Sequence, residues 1–340
     1  MKFENLTVDA VDALSDDGLM ITFAVPDGQR ERFAFRPGQH VTLDAGLRRS
    51  YSICSTPAEL AERGRLRVGV RLLPAGEFSK IAEGLRPGDT VAALPPLGRF
   101  TTDLTPDRAR RYGAVVAGSG ITPVLSLVAT ALSVEPASTF AVICGNRSSA
   151  SAFGVDELAD LKDRFGARLH IVHVLSREAS ASLHGRLTPA LVADLLPLVG
   201  PVDEWFLCGP LGMVEGARPV VAATGATVHV ELFHVGTPPT APPAEEDAGE
   251  VEVELVLDGR ATTFSMSAGE RVLDAALRHR TELPYACRGG VCSTCRAKVL
   301  AGSVTMAANW ALDPAETAAG YVLTCQSQPS SSRIVIDYDA

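Results

Sequence analysis

The sequence has no apolar run approaching the roughly 20 residues of a membrane-spanning helix. Its N-terminus, MKFENLTVDA, has no basic segment followed by an apolar one. No secretory or membrane-embedded protein is expected, and the cytoplasm is the expected compartment. No block of Lys or Arg is present and the formal net charge is −9, so the electrostatic footprint of a nucleic-acid binder is missing. The seven histidines form no set of their own, and His40 and His184 are left as supporting or structural residues. An even set of cysteines is missing too. There are seven, which argues against a disulfide framework and toward metal or redox chemistry. What is present is an ordinary globular composition, 46% hydrophobic and 21% charged over 340 residues, a length that suits two or three cores rather than one.

Composition divides the chain. Residues 237–250, TPPTAPPAEEDAGE, are rich in Pro and acid without apolar periodicity, as expected of an extended, partly stiff spacer. Within residues 1–107, short apolar–polar alternations (19–25, 32–43, 48–54, 66–73) punctuated by turn residues predict antiparallel strands in a small barrel or sandwich. Over residues 108–236, apolar strands at 112–117, 139–144, 169–175, 204–209 and 227–232 alternate with helical stretches at 123–132, 155–165 and 187–196. That rhythm predicts a parallel sheet covered by helices, with ligands at the carboxyl ends of its strands. Residues 251–340 open with a predicted hairpin and a helix over 272–280.

The strongest motif is Cys287-x4-Cys292-x2-Cys295, followed after 29 residues by Cys325. This is the plant-type [2Fe–2S] spacing. Three thiolates converge on two irons from one short loop, and a fourth closes the site from afar. Ala286, Gly289, Gly290, Ser293 and Thr294 are small enough to let that loop wrap tightly. A structural zinc site would pair two C-x2-C knuckles, and only one is present. The stretches LPYACRGGVCSTCRAKVLAG and YVLTCQSQP resemble the plant-type ferredoxin family over the whole C-terminal part, and the resemblance makes Cys287, Cys292, Cys295 and Cys325 the cluster ligands. The family is often strongly acidic. Here residues 250–340 hold eleven acids and eight bases, so charge alone draws no docking surface.

RSYS at 49–52 reads two ways: as an ordinary strand, or as a flavin site. In the second, the guanidinium fork of Arg49 meets a diphosphate, Tyr51 covers the ring system and Ser52 offers a hydroxyl near its reactive nitrogen. PGQHVTL precedes it and GEFS follows at a helix start, where Ser79 and local N–H groups suit a phosphate. Together these resemble the ferredoxin–NADP reductase superfamily over residues 1–236. The resemblance maps flavin contacts to Arg49, Tyr51, Ser52, Val68, Val70, Gly76, Phe78 and Ser79, with FAD favoured over FMN. Ala75 stands where the family often has a first glycine.

AGSGITP at 117–123 follows a strand and opens a helix, with Gly118 and Gly120 for the turn and Thr122 and Pro123 at the helix start. It lacks the third glycine of the dinucleotide fingerprint, so a plain strand-to-helix turn stays open. Cys208-Gly209-Pro210, with Met213 nearby, resembles the family motif whose thiol lies beside the nicotinamide; the alternative for Cys208 is a small buried side chain. Arg147 in GNRSS, and Ser176 with Arg177, follow strands where a 2′-phosphate can be bound, which implies NADPH, with NADH as the alternative. In bacterial relatives a Glu and an aromatic border the flavin, and these map to Glu231 and Phe233; Phe233 reads equally well as core. Ser52, Cys208 and Glu231 are thus the residues expected closest to the chemistry.

The order of the three modules, with FRPGQHVTL, RRSYSIC, AGSGITPVL, GNRSS, LHGRL, LPYACRGGVCSTC and LDPAETAAGYVLTCQ, is similar to the reductase subunits of phenylacetyl-CoA epoxidases. That resemblance implies an antiparallel FAD barrel, an α/β nicotinamide domain and an α+β β-grasp ferredoxin domain. Electrons would run from NADPH through FAD and [2Fe–2S] to a multi-subunit di-iron oxygenase of phenylacetate catabolism. Reductases of ketosteroid hydroxylases share this order, so another oxygenase, served with NADH, stays open. A non-catalytic redox sensor is the reading from a different class. The spacer at 237–250 would tether the ferredoxin domain and raise its effective concentration near the flavin.

Overall fold

The computed structural model describes residues 2–233 and 249–340. Two compact units emerge, Glu4–Phe233 and the C-terminal part. The spacer expected at 237–250 lies outside the described residues up to position 248. Among the described residues, no helix is long and apolar enough to cross a membrane.

The first unit begins with six antiparallel strands: β1 (Glu4–Ser15), β2 (Gly18–Ala24), β3 (His40–Asp44), β4 (Arg48–Ser52), β5 (Arg65–Arg71) and β6 (Thr90–Leu97). Their order is β4-β3-β6-β1-β2-β5, and a bridge between Ile53 and Val68 joins the two edges, so the sheet closes on itself. The alternation in β5 shows the reason: Leu66, Val68 and Val70 are buried inward with Phe23, Phe33 and Val41, while the arginines between them face out. Helix α1 (Pro57–Arg63) starts at a capping box of Thr56 and Glu59, and α2 (Glu77–Gly84) follows β5.

Two expectations need correction here. The run at 32–43 is strand only from His40; Pro37 and Gly38 break it, and Phe33 and Phe35 turn into the core instead. Strand β6 is hidden in the sequence by Pro95 and Pro96, which would normally argue against a strand. They are tolerated because the register shifts there: Leu94 pairs with Thr42 and Leu97 with His40, leaving both prolines opposite Val41 in a bulge.

The same unit continues with five parallel strands, β7 (Arg111–Ala117), β8 (Thr139–Asn146), β9 (Leu169–Leu175), β10 (Glu204–Cys208) and β11 (Thr227–Glu231), in the order β11-β10-β7-β8-β9. Helices α3 (Thr122–Val134), α4 (Val155–Phe165), α5 (Pro189–Val199) and α6 (Leu211–Ala222) connect or flank them. The chain moves outward from β7 to β8 and β9, then returns to place β10 on the other side of β7. The crevice at this switch point lies at the carboxyl end of β7.

In the C-terminal unit, β12 (Glu250–Leu257) and β13 (Arg260–Ser267) form the hairpin, and α7 (Val272–Leu277) follows. Then come β14 (Arg296–Ala301), β15 (Val304–Met306), α8 (Pro314–Ala318), β16 (Tyr321–Leu323), β17 (Ser327–Pro329) and β18 (Arg333–Asp337). The main sheet runs β13-β12-β18-β14-β16, with β12 parallel to β18, and packs Val272, Leu273 and Ala276 of α7 on Leu255, Leu323 and Ile336. The helix expected over 272–280 ends three residues early. His279 leaves it and stacks on Phe264, ring centroids 4.5 Å apart.

Gly38 enters β3 at φ +91°, and a Cβ there would lie 1.9 Å from the Phe100 carbonyl oxygen. Gly38→Ala is therefore expected to destabilise the first unit by about 2 kcal/mol or more. A denaturation midpoint equal to that of the parent protein would contradict this.

Candidate electron-transfer site

The expected flavin face lies on β4. Alternation along the strand puts Arg49 and Tyr51 on one side and Ser50 and Ser52 on the other. Tyr51 packs at 5.0 Å, tilted, on Phe78 from α2, and burial raises its phenol pKa against the lowering effect of Arg49. The Arg49 side chain is exposed; its Nη1 donates to the Arg48 carbonyl at 2.8 Å and no acid pairs with it among the described residues. Gly76 caps α2 without a side-chain acceptor, so the first-turn N–H groups lack one. Ser79, buried, accepts the Leu73 N–H at 2.9 Å, which folds the loop and leaves the hydroxyl proton to donate. Val68 and Val70 are 0% and 1% exposed in the barrel core, so a flavin can meet only their backbone, and Phe78 sits beneath Tyr51. An unpaired guanidinium, an aromatic cover and open helix-end amides suit the diphosphate and ring of FAD.

The carboxyl ends of β7, β10 and β11 form the other half. Gly118 has φ +54°, and Gly118–Ile121 makes a 3-10 turn before α3 starts at Thr122 with Pro123 in its first turn. A Cβ on Gly120 would lie 2.2 Å from the Cys208 carbonyl oxygen. This glycine is therefore needed to seat the turn on the end of β10. Thr122 Oγ1 donates to the Ser119 carbonyl at 2.9 Å, and Pro210 precedes α6. Cys208 is fully buried; burial first, and the nearby Glu231 charge second, raise its thiol pKa well above the usual range. It is a neutral thiol at physiological pH.

Glu231 is the register partner of Cys208 on the adjacent strand. It accepts a hydrogen bond from Ser52 Oγ at 2.8 Å, across 179 residues of sequence. Burial raises the Glu231 carboxyl to about 7, while the Ser52 hydroxyl pulls the other way. The barrel and the parallel sheet thus bring Ser52, Cys208 and Glu231 to one place. Phe233, at the end of this segment, is 39% exposed and so is not core.

Farther along the crevice, Arg147 is ion-paired to Asp17 at 2.9 Å, and Asp17 also holds Arg71 at 2.5 Å. Arg71 lies against Gly118, with Nη2 3.6 Å from where a Cβ would be, and over the Phe153 ring at 4.9 Å. Two guanidinium groups share one carboxylate beside the AGSG turn, a net positive charge suited to phosphate. Asp17 and Arg71 are not identifiable from sequence, because an arginine ending a strand and an acid in a hairpin turn are ordinary until the fold joins them. The Ser176 and Arg177 N–H groups donate to the Asn146 and Arg147 carbonyls at 2.9 and 2.8 Å, holding the two loops together. The Arg177 side chain is exposed, with no acidic partner among the described residues.

The four cysteines of the C-terminal unit fall in two pairs. Cys287 and Cys292 influence each other's titration, as do Cys295 and Cys325: the neighbouring thiol lowers the Cys287 and Cys325 pKa values, helped by backbone N–H groups of Gly289, Val291 and Cys292 on Cys287 and of Gly290 on Cys325. Among the described residues, no three Cys, His, Asp or Glu side chains converge as a single metal ion would require. Two thiols for each of two irons is what a [2Fe–2S] centre needs, and the residues fit it. Arg288 and Ser293 take φ values of 52° and 53° in the loop. Three of the cysteines are buried; Cys287 is half-buried.

Cys325→Ser is expected to abolish the cluster's visible absorption and paramagnetic signal while leaving flavin absorption, and retention of both signals would contradict the ligand assignment. A second expectation concerns pH. A carboxyl raised in the folded state binds more protons there than in the unfolded chain, so Glu231 lowers stability as pH rises from about 4.5 to about 7. Glu231→Gln should remove that component. Denaturation from pH 5 to 8 should give a variant-minus-parent difference that grows with pH and then levels off, whereas a flat difference would contradict the assignment.

Comparison with known families and structures identifies the three parts of the chain. Residues 5–102 match the oxidoreductase FAD-binding domain, 115–219 the oxidoreductase NAD-binding domain and 255–330 the 2Fe-2S iron-sulfur cluster binding domain. The chain is 42% identical to a subunit of the 1,2-phenylacetyl-CoA epoxidase of Escherichia coli K12, covering 99% of this chain and 98% of that protein. It is 32% identical to the ferredoxin reductase component of 3-ketosteroid-9-alpha-monooxygenase from Rhodococcus rhodochrous, over 98% and 96% of the two chains. The fold resembles phthalate dioxygenase reductase, with a TM-score of 0.60 at 22% identity over 98% of both chains. It also resembles part of a self-sufficient type IV cytochrome P450 monooxygenase, with a TM-score of 0.71 at 23% identity over 98% of this chain and 41% of that one. On the full-length identity and the three matched domains, the chain belongs to the family of phenylacetyl-CoA epoxidase reductase subunits, ferredoxin–NADP reductase-type flavoproteins that end in a plant-type [2Fe–2S] domain and pass electrons from a reduced nicotinamide to an oxygenase.

Proposed function

We propose that this reductase draws on NADPH and serves the multi-subunit di-iron phenylacetyl-CoA epoxidase of a cytoplasmic phenylacetate pathway. The observation that carries the chemical part is the Ser52–Glu231 hydrogen bond, which brings the flavin strand to the carboxyl ends of the nicotinamide strands beside Cys208. The full-length 42% identity to the epoxidase protein favours that partner over a ketosteroid hydroxylase, whose reductase component is 32% identical.

Bound FAD would accept two electrons as one hydride and the iron–sulfur cluster would carry them onward singly, which is the chemistry of the cofactors themselves. The chain supplies the rest. Arg49 and the α2 amides hold the flavin diphosphate, and Tyr51 covers its ring. Cys208, kept neutral by burial, fills the floor beside the nicotinamide without repelling hydride. Glu231, titrating near neutrality, holds or releases a proton through Ser52 Oγ. Arg71 and Arg147 offset the coenzyme's phosphates, and Arg177, free of an acidic partner among the described residues, stands ready for the 2′-phosphate.

Two measurements test this reading. Mixed with purified epoxidase oxygenase subunits, the protein should support NADPH-dependent epoxidation of phenylacetyl-CoA. Rapid ferricyanide reduction without epoxide would assign it to another oxygenase, and slow turnover with both acceptors would favour a sensor. For the coenzyme, Arg177→Ala should raise KM for NADPH about tenfold or more and leave that for NADH nearly unchanged. Equal effects on both would remove Arg177 from the 2′-phosphate.

A further inference from the structure

Gln326 directly follows the last cluster ligand and is 0% exposed. Its amide nitrogen lies 2.7 Å from the Arg288 carbonyl, 3.0 Å from the Cys325 carbonyl and 3.6 Å from Cys325 Sγ. Two carbonyl oxygens at such distances accept only a donor, so this end of the side chain is the NH2 group. Its Oε1 is buried without a hydrogen-bond partner. Burying an unpaired amide oxygen carries a desolvation cost, and such a group needs a reason of its own.

The neighbouring geometry supplies one. Arg288, whose carbonyl Gln326 grips, sits at φ 52°, a left-handed conformation that is strained for a non-glycine residue. A Cβ on Gly290 would lie 3.1 Å from Gln326 Cγ and 3.1 Å from the Ala308 carbonyl, so the cluster loop is packed directly on this side chain. The Gln326 carbonyl in turn accepts the Ala307 N–H at 2.9 Å, and the Trp310 N–H donates to the Gly290 carbonyl at 3.0 Å. One side chain therefore links the short three-cysteine loop to the distant fourth ligand, with its positive end aimed at a ligand sulfur.

We propose that Gln326 is a positioning residue of the cluster: it locks the Cys287–Cys295 loop to Cys325 and, by donating an N–H to Cys325 Sγ, raises the reduction potential. Reduction adds negative charge to the centre. A donor dipole fixed on a ligand sulfur, inside a site of low dielectric, stabilises the reduced form more than the oxidised one. The unpaired Oε1 follows from this, because turning the amide to satisfy it would place an acceptor against two carbonyls and a thiolate.

The test is an EPR-monitored redox titration of the full-length, cluster-loaded protein. Gln326→Met keeps the length and loses the donor; Gln326→Glu keeps the shape and offers only acceptors when ionised. Each should lower the reduced-to-oxidised ratio at a set ambient potential by about three- to tenfold. At 59 mV per tenfold for one electron this is a midpoint about 30–60 mV more negative, with Gln326→Glu the larger change. An unchanged midpoint in a loaded variant overturns the proposal.

If neither variant retains a cluster, the parent protein decides. With glutamine labelled by 15N at the side-chain amide, pulsed EPR of the reduced protein should detect a coupled 15N from Gln326, and its absence overturns the proposal. The amide of Gln328 is engaged elsewhere, on the Gly269 carbonyl at 2.7 Å, and Gln29 and Gln39 belong to the first unit. The proposal rests on the bound cluster. A parent protein without the paramagnetic signal would sink both, whereas a normal parent signal with unshifted variants sinks only the role of Gln326.

Discussion

The hydrogen bond from Ser52 to Glu231 can form only if an antiparallel barrel strand and the carboxyl edge of a parallel sheet meet at a fixed place and angle. Much of the first unit serves that requirement. The Ile53–Val68 bridge closes the barrel and fixes the end of β4. Gly120 lets the AGSG turn settle on β10, and the Cys208–Glu231 register then places the thiol and the carboxyl side by side. A carboxyl held near neutrality is a consequence of this convergence. Burial penalises its charge, and one hydroxyl donor is too little to cancel that penalty.

The C-terminal unit meets a different constraint, in which four sulfurs must face two metals without competing with the core. Cys295 and Cys325 belong to the apolar core itself, packed with Leu323 and Leu283. Thr324 stiffens the rear of the site: its hydroxyl donates to the Cys295 carbonyl at 3.0 Å and lies 2.7 Å from the Tyr338 hydroxyl. The front is the short loop, where Arg288, Gly290 and Ser293 take positive φ. The cluster is thus held between a rigid wall and a strained loop, and Gln326 spans the two.

Much of this is legible in the sequence. The five strands of the parallel sheet announce themselves as apolar runs, and α4 falls where its periodicity puts it, at Val155–Phe165. The cysteine spacing already implies a two-iron centre, since spacing along a loop maps directly onto ligand geometry. The failures share a physical cause. Strand β6 is concealed by prolines that only a tertiary bulge accommodates, and the start of the run at 32–43 is concealed by phenylalanines that serve the core without being strand. Asp17 and Arg71 act through partners far away in sequence, and Gln326 reaches across to the Arg288 carbonyl, so local pattern carries no trace of these links. Val68 and Val70 illustrate the converse: a family position carries over, but here only their backbone is available to a ligand.

Cys287 is the only half-buried thiol of the four. A cluster held by these four thiols would therefore lie nearer to water on the Cys287 side. The shortest way from such a cluster to a docked protein would then run past Cys287, and the exposure of that single sulfur would limit how near an acceptor could come.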